Sequence, residues 1–293
     1  MANSNEKSAR FFDDYPRFLE STETGPWLER LNARHHALIE TNRDLISGSR
    51  VLDLGSHDGR FAFAALEAGA SHVTGIDVKA HLAESGAANM EAYGMSPDRY
   101  AFNVGDLFDF LATGPEVDVV FCFGILYHLS DHLRLLTAIA ELGPKAVIID
   151  SKISLLSGAV MEIRSPRGDS PPLPGAQLEA YSTPAALNAM VSSLGWDIDY
   201  FDWARSGLLE RPNTQDYREG SRISARITCP DHAVSAEVRQ AAVADVLASD
   251  HPREQEFLAV SMVADRVGMA PQALAVWVNK ARRERSRQSG FTR

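Results

Sequence analysis

Between residues 50 and 150 the chain alternates runs that are apolar almost throughout with stretches whose apolar residues recur at helical spacing, and few folds accommodate that alternation. The runs "RVLDLG", "HVTGID", "RYAFNVGD", "VDVVFCFG" and "KAVIIDSKIS" read as strands. Between them, "DGRFAFAALEAGA", "KAHLAESGAANMEAYG" and "DHLRLLTAIAELGP" read as helices closed by glycine or Gly-Pro. A strand with no polar side must be covered on both faces, and strands alternating with helices supply that cover in a parallel sheet. A later helix, "TPAALNAMVSSLG", and two strands, "WDIDYFDW" and "SRISARITC", complete an α/β, doubly wound, mostly parallel sheet of seven strands over residues 50–229. Residues 1–49, with Trp27, Leu31, Leu38 and Leu45 at helical spacing, are expected to form helices that cap its ligand site. The stretch 154–182 is irregular, and its "RSPRGDSPPLPG" predicts a lid-like insertion or, on the plainer reading, a surface loop. Beyond Cys229-Pro230, residues 230–293 form a separate all-helical module.

Charge and cysteine content narrow the setting. The net charge is −10, but the segment from Gly268 to Arg293 alone is +5, which leaves −15 elsewhere. An acidic main body disfavours general nucleic-acid binding, while the basic tail admits a nucleic-acid partner. Two cysteines, Cys122 and Cys229, make no disulfide framework, and neither a signal peptide nor a membrane-spanning run is evident. The expected location is cytoplasmic, with no membrane partner, and self-association into a homo-oligomer is a further expectation.

The segment "VLDLGSHDG" carries the most chemistry. A dinucleotide loop needs G-x-G-x-x-G, but the second and third positions counted from Gly55 hold His57 and Arg60. What remains is acid-x-Gly-x-x-x-Gly: Asp53, Gly55 and Gly59. Asp77, 24 residues after Asp53, ends the next strand where a carboxylate can accept both ribose hydroxyls. Fewer glycines and a preceding acid suit a ligand without phosphates and with a positive centre. A non-glycine residue fits such a turn if its φ stays negative, so His57 is expected to alter loop packing without loss of binding.

With "GIDVK", "VGDLF" and "VDVVFCFGILYHL", this segment resembles the class I S-adenosylmethionine-dependent methyltransferases over residues 25–229, a Rossmann-like fold. The resemblance implies S-adenosylmethionine as cofactor. Asp53, Gly55 and Gly59, with His57 in the same turn, would shape its methionine side and Asp77 would hold the ribose. Asp106 and Leu107 would flank the adenine, and Phe123 and Gly124 would line the sulfonium. Arg34 is a candidate partner for the cofactor's carboxylate.

"GILYHL" is similar to methyltransferases of sugars and natural products, and to the transferase that carboxymethylates wobble uridine in tRNA. The latter needs extra basic contacts that no pattern here supplies. The leading expectation is therefore O-methylation of a sugar or other small-molecule acceptor, with tRNA or RNA modification as an alternative. Acceptors bind beyond the carboxyl ends of the strands. His128 is the first candidate general base and Asp150 the second, as base, orienting group or ligand of an optional Mg²⁺. Tyr127, His132, Glu162, Arg164 and Tyr181 are candidate acceptor contacts.

In the tail, Val263, Ala264, Val267, Gly268, Leu274 and Trp277 fall where a helix-turn-helix needs small, turning and clamping residues. Residues 236–285 resemble the helix-turn-helix of insertion-sequence transposases. That leaves open a DNA-binding regulator, but Ala273, Ala275 and Val276 offer few groups to read base edges, so a structural or partner-docking role, dimerisation included, stands ahead of it.

Overall fold

The structure, a computed structural model, describes residues 10–166, 178–230, 234–249 and 255–290. Its centre is a seven-stranded sheet built from β1 (Arg50–Leu54), β2 (His72–Asp77), β3 (Tyr100–Val104), β4 (Val119–Phe123), β5 (Ala146–Lys152), β8 (Asp197–Tyr200) and β9 (Arg222–Thr228). A separate hairpin pairs β6 (Met161–Arg164) with β7 (Glu179–Ser182). The sheet order is β3-β2-β1-β4-β5-β9-β8. Strands β1 to β5 pair in parallel, whereas β9 inserts antiparallel between β5 and β8. The direction of winding reverses between β1 and β4, and that switch point opens a crevice at the strands' carboxyl ends.

The nine helices of six or more residues among the described residues are α1 (Leu28–Leu38), α2 (Arg60–Glu67), α3 (Ala80–Ala92), α4 (Leu107–Ala112), α5 (His132–Ala140), α6 (Pro184–Ser192), α7 (Ala236–Ala248), α8 (Glu256–Val267) and α9 (Pro271–Gly290). Alternate strand residues feed two cores. Leu52, Leu54, Val120, Cys122, Val147 and Ile149 pack with α4, α5 and α6. Val51, Val119, Phe121, Phe123 and Ile148 pack with α1, α2 and α3 on the other face. Burial on both sides is why these strands carry apolar residues at nearly every position.

Two expectations change. The stretch 154–182 is not irregular throughout, because it contains the β6–β7 hairpin; residues 167–177 of the anticipated lid lie outside the described residues. The C-terminal helices do fold around a small core of Ala242, Val246, Val260, Ala264, Leu274 and Val278, with Gly268 at φ 72° ending α8. Yet α9 is not a free recognition helix. Its Val276 is buried in the core shared with α5 and α6, Trp277 packs against that core, and Lys280 Nζ donates to the Glu141 carbonyl at 3.1 Å. The first half of α9, which a helix-turn-helix presents to base edges, thus faces the sheet in part. Among the described residues, no helix is long and apolar enough to cross a membrane.

Candidate active site

A cleft of about 990 Å³ lies over the carboxyl ends of β1, β2, β4 and β5 and is walled on the far side by residues 19–34 and 213–222. Its floor is the turn after β1. Gly55 (φ 69°) has the left-handed backbone that glycine adopts freely. His57 does too, with φ 53°, so the expected negative φ is corrected. A β-carbon in this region is strained, and the surroundings compensate. The His57 amide donates to Asp77 Oδ2 at 3.0 Å, and the His57 ring touches Asp58 and Arg60. Burial pushes the Asp58 carboxyl up, but hydrogen bonds from His57 and Arg60 and the Arg60 charge outweigh it and hold Asp58 down at about 2. Ser21 and the Arg60 fork complete that lock.

Asp77 accepts the amides of His57 and Lys79, both at 3.0 Å, and presents its carboxylate at the cleft wall. Asp53 lines the floor at 2% exposure, and burial, reinforced by Asp77 and opposed by Arg34, pushes its carboxyl up to about 8. Arg34 reaches in from α1, stacked over Phe61 at 4.9 Å and donating to Asp150 at 3.0 Å. Its Nε is buried with no hydrogen-bond partner. Phe123 and Gly124, at the end of β4, form the middle of the cleft.

The next turn, Leu126–His128, brings Tyr127 and His128 to the cleft wall beyond Gly124. His128 Nδ1 lies 3.3 Å from Glu179 of β7, a contact without hydrogen-bond geometry that becomes an ion pair only when the ring is protonated. Tyr181 donates to Glu179 and stacks on Tyr127 at 5.9 Å between ring centres. Burial, aided by the nearby charges of Lys152 and Arg222 and opposed by Glu179, lowers the His128 pKa to about 4. The imidazole is neutral, and so able to accept a proton, across the physiological range.

The remaining candidates lie away from the cleft. Asp150 is fully buried beneath it. The carboxylate accepts Arg34 and Arg222 on one oxygen, and the Tyr217 and Ser224 hydroxyls on the other. Burial raises its pKa, but Arg34, Arg222 and these hydroxyls hold it at about 2. With its lone pairs committed and its proton affinity low, Asp150 is an anchor for two guanidiniums, which corrects its candidacy as base or magnesium ligand. Among the described residues no three His, Cys, Asp or Glu converge as a metal site. His132 is buried outside the cleft with Nδ1 2.7 Å from Ser182 Oγ, so it packs the hairpin against α5 instead of meeting an acceptor. Glu162 is taken up by Arg164 and Ser154, and neither Glu162 nor Arg164 lines the cleft; Tyr181 stands one layer behind it.

Gly59 (φ 77°) also sits behind the cleft, where a β-carbon would come within 2.8 Å of Phe102. Its requirement for glycine is close packing. Asp106 caps α4, accepting the Phe108 amide at 2.7 Å, while Leu107 is buried in the core, and neither lines the cleft. Conversely, sequence motifs did not single out Arg30, Arg222 or Glu179. They come from the N-terminal helix, the antiparallel strand β9 and the hairpin, where no short-range spacing marks them. Lys152, two residues after Asp150 at the end of β5, was marked by its position but given no role.

Residues 51–143, covering β1 through α5, match the family model described as Methyltransferase domain. Over that stretch the chain is similar to methyltransferase domains. No curated protein matches the sequence. In fold, a Listeria monocytogenes protein assigned as an S-adenosylmethionine-dependent methyltransferase superposes with a TM-score of 0.53 at 14% identity, over 68% of this chain and 97% of that one. The N-terminal domain of EvdMO1, solved with S-adenosylhomocysteine bound, gives 0.50 at 16% identity, over 78% and 96%. SMU.776, assigned as a methyltransferase and complexed with S-adenosylhomocysteine, gives 0.46 at 16% identity over 66% of this chain, which spans 50% of that structure.

The cradle of this methyltransferase fits S-adenosylmethionine. Asp77 offers a carboxylate at the end of β2, the unpartnered Nε of Arg34 suits a carboxylate, and Asp53 and the Phe123–Gly124 wall suit a cationic centre.

Proposed function

We propose that this S-adenosylmethionine-dependent methyltransferase methylates a hydroxyl group of a sugar or comparable small metabolite, with His128 as general base. The reading is supported by a neutral imidazole that lines the same cleft as Asp53, Arg34 and Asp77. The cofactor, when bound, supplies a methyl group already activated by its sulfonium charge. The protein's share is then to hold both reactants in line, exclude water and receive one proton. Asp77 would bind the ribose hydroxyls and Arg34 the carboxylate. Residues 19–34 wall one side of the cleft. His128 would take the hydroxyl proton on its ring, and Glu179 would orient the ring and stabilise the charge it gains, with the Tyr181 hydroxyl holding Glu179 in place.

Two variants test the assignment. Asp77→Ala should abolish S-adenosylhomocysteine binding measured by calorimetry; intact affinity would remove the cradle. His128→Ala should lower kcat by roughly 10²–10⁴ with cofactor affinity unchanged. Wild-type turnover in that variant would sink the base.

A further inference from the structure

An ion cluster lies under the cleft. Arg30 and Arg222 both pair with Asp216, and Arg34 and Arg222 both pair with Asp150. Three guanidiniums facing two carboxylates leave one positive charge over. Lys152 adds another. It stands opposite Arg222 in the β5–β9 ladder and lines the cleft, and no carboxylate among the described residues pairs with it. Instead its ammonium lies 5.0 Å from the centre of the Tyr127 ring, with the Arg222 guanidinium 5.6 Å from the same ring. The acids nearby offset part of this excess without touching Lys152. Glu179 contacts the neutral His128 ring and the Tyr181 hydroxyl, Asp77 lines the cleft on its two amide donors, Glu219 is on the exposed rim, and Glu23 pairs with Lys79 and His81. A cofactor with a sulfonium and an ammonium against one carboxylate would bring further positive charge.

We propose that Lys152, with Arg222 and Tyr127, is a receptor for an oxyanion carried by the methyl acceptor, so that the substrate is an acidic hydroxylated metabolite, a carboxylate or a phosphate ester, held with its hydroxyl at His128. This rests on the methyltransferase reading and names its substrate class. Charge-assisted hydrogen bonds from Lys152 would give the anion affinity, and the ring face beneath would exclude water from it. The arrangement also couples binding to chemistry. Neutralising Lys152 removes part of the positive field that disfavours a proton on His128, so the imidazole becomes a stronger base when an acidic acceptor is in place.

The full chain, saturated with S-adenosylhomocysteine, is titrated at constant ionic strength with sodium acetate and, separately, with inorganic phosphate, while NMR follows the histidine ring signals. The His128 signal is identified by its loss in His128→Gln. The expected result is a saturable shift of that signal and a rise in its pKa with at least one anion, and the responding anion distinguishes carboxylate from phosphate. Lys152→Gln should weaken this binding by about tenfold or more, and Lys152→Arg should retain it, both with S-adenosylhomocysteine affinity unchanged. An equal response in Lys152→Gln, or no response to either anion in the wild type, overturns the proposal. The same titrations on the protein without S-adenosylhomocysteine read the receptor independently. A chain that takes up anions through Lys152 but never binds S-adenosylhomocysteine would overturn the methyltransferase reading and leave the anion receptor standing.

Discussion

His128 and Asp53 are both forced toward neutrality, one as a base and one as an acid. For His128, whose pKa lies at about 4, the unfolded chain binds more protons than the folded one between about 4 and the ordinary histidine value. Stability contributed by this site is therefore lost as pH falls through that window. The same shift fixes the acid limb of kcat/KM for the acceptor at saturating cofactor, which reports the cofactor-bound enzyme: it should be flat through neutrality and fall only near pH 4. An inflection near the ordinary histidine value, found by steady-state kinetics, would contradict burial of the base. Asp53 has the opposite sign, because the folded chain keeps a proton up to about pH 8 that the unfolded chain has released. Its contribution to stability accordingly declines as pH rises toward 8. A cation bound beside it must displace that proton. Binding of S-adenosylmethionine at pH 7 should then release a proton, seen as a buffer-dependent enthalpy in calorimetry, and Asp53→Asn should abolish the release.

The turn between β1 and α2 holds three left-handed residues, Gly55, His57 and Gly59, and the last two have different fates. Gly59 cannot gain a side chain without overlapping Phe102, so Gly59→Ala combines backbone strain with overpacking and should cost about 2–4 kcal/mol in denaturant unfolding. His57 already bears that strain, and His57→Gly should relieve it while losing the contacts to Asp58 and Arg60, for a net change within about 1 kcal/mol. Equal effects of the two variants would show that the turn is not shaped as described.

These elements also show which parts were readable in advance. Strands β1, β2, β4 and β5 and the turn that follows β1 were legible, because burial on both faces writes an apolar run and a cofactor turn writes local spacing. The hairpin was not. Prolines and glycines around it masked two four-residue strands, and with them Glu179, whose meaning depends on contact with the turn after β4. Asp106 and Gly59 illustrate the converse. Their motif positions were recognisable, but Asp106 spends its carboxylate on a helix cap and Gly59 its missing side chain on Phe102. Asp150 looked like a base by position at a strand end, and only its four buried donors reveal an anchor.

Across the molecule, the basic C-terminal helices and the acidic sheet domain are physically joined. Val276 is buried in the sheet-face core, Trp277 packs beside Arg239 at 4.5 Å, and Arg283 pairs with Glu141. Part of the tail's positive charge is therefore spent within the chain, which helps explain why charge counting alone suggested a nucleic-acid arm. Val276→Asp places an unpaired charge in this seam and should cost several kcal/mol, roughly 3 or more, in thermal or denaturant unfolding. S-adenosylhomocysteine affinity should persist in the fraction that remains folded, since Val276 and its neighbours Gly143, Pro144, Leu194 and Cys229 share no residue with the cleft. A variant of unchanged stability would mean that α9 is free of the sheet domain.

The central claim is methyl transfer to a small molecule, and methyl-labelled S-adenosylmethionine tests it most directly. The purified chain is incubated with the label and a cell extract, and small molecules, RNA, DNA and protein are then separated and counted. Label that enters the small-molecule fraction, and fails to do so with His128→Ala, is the predicted result. Label in RNA, DNA or protein, or none in any fraction, would contradict it.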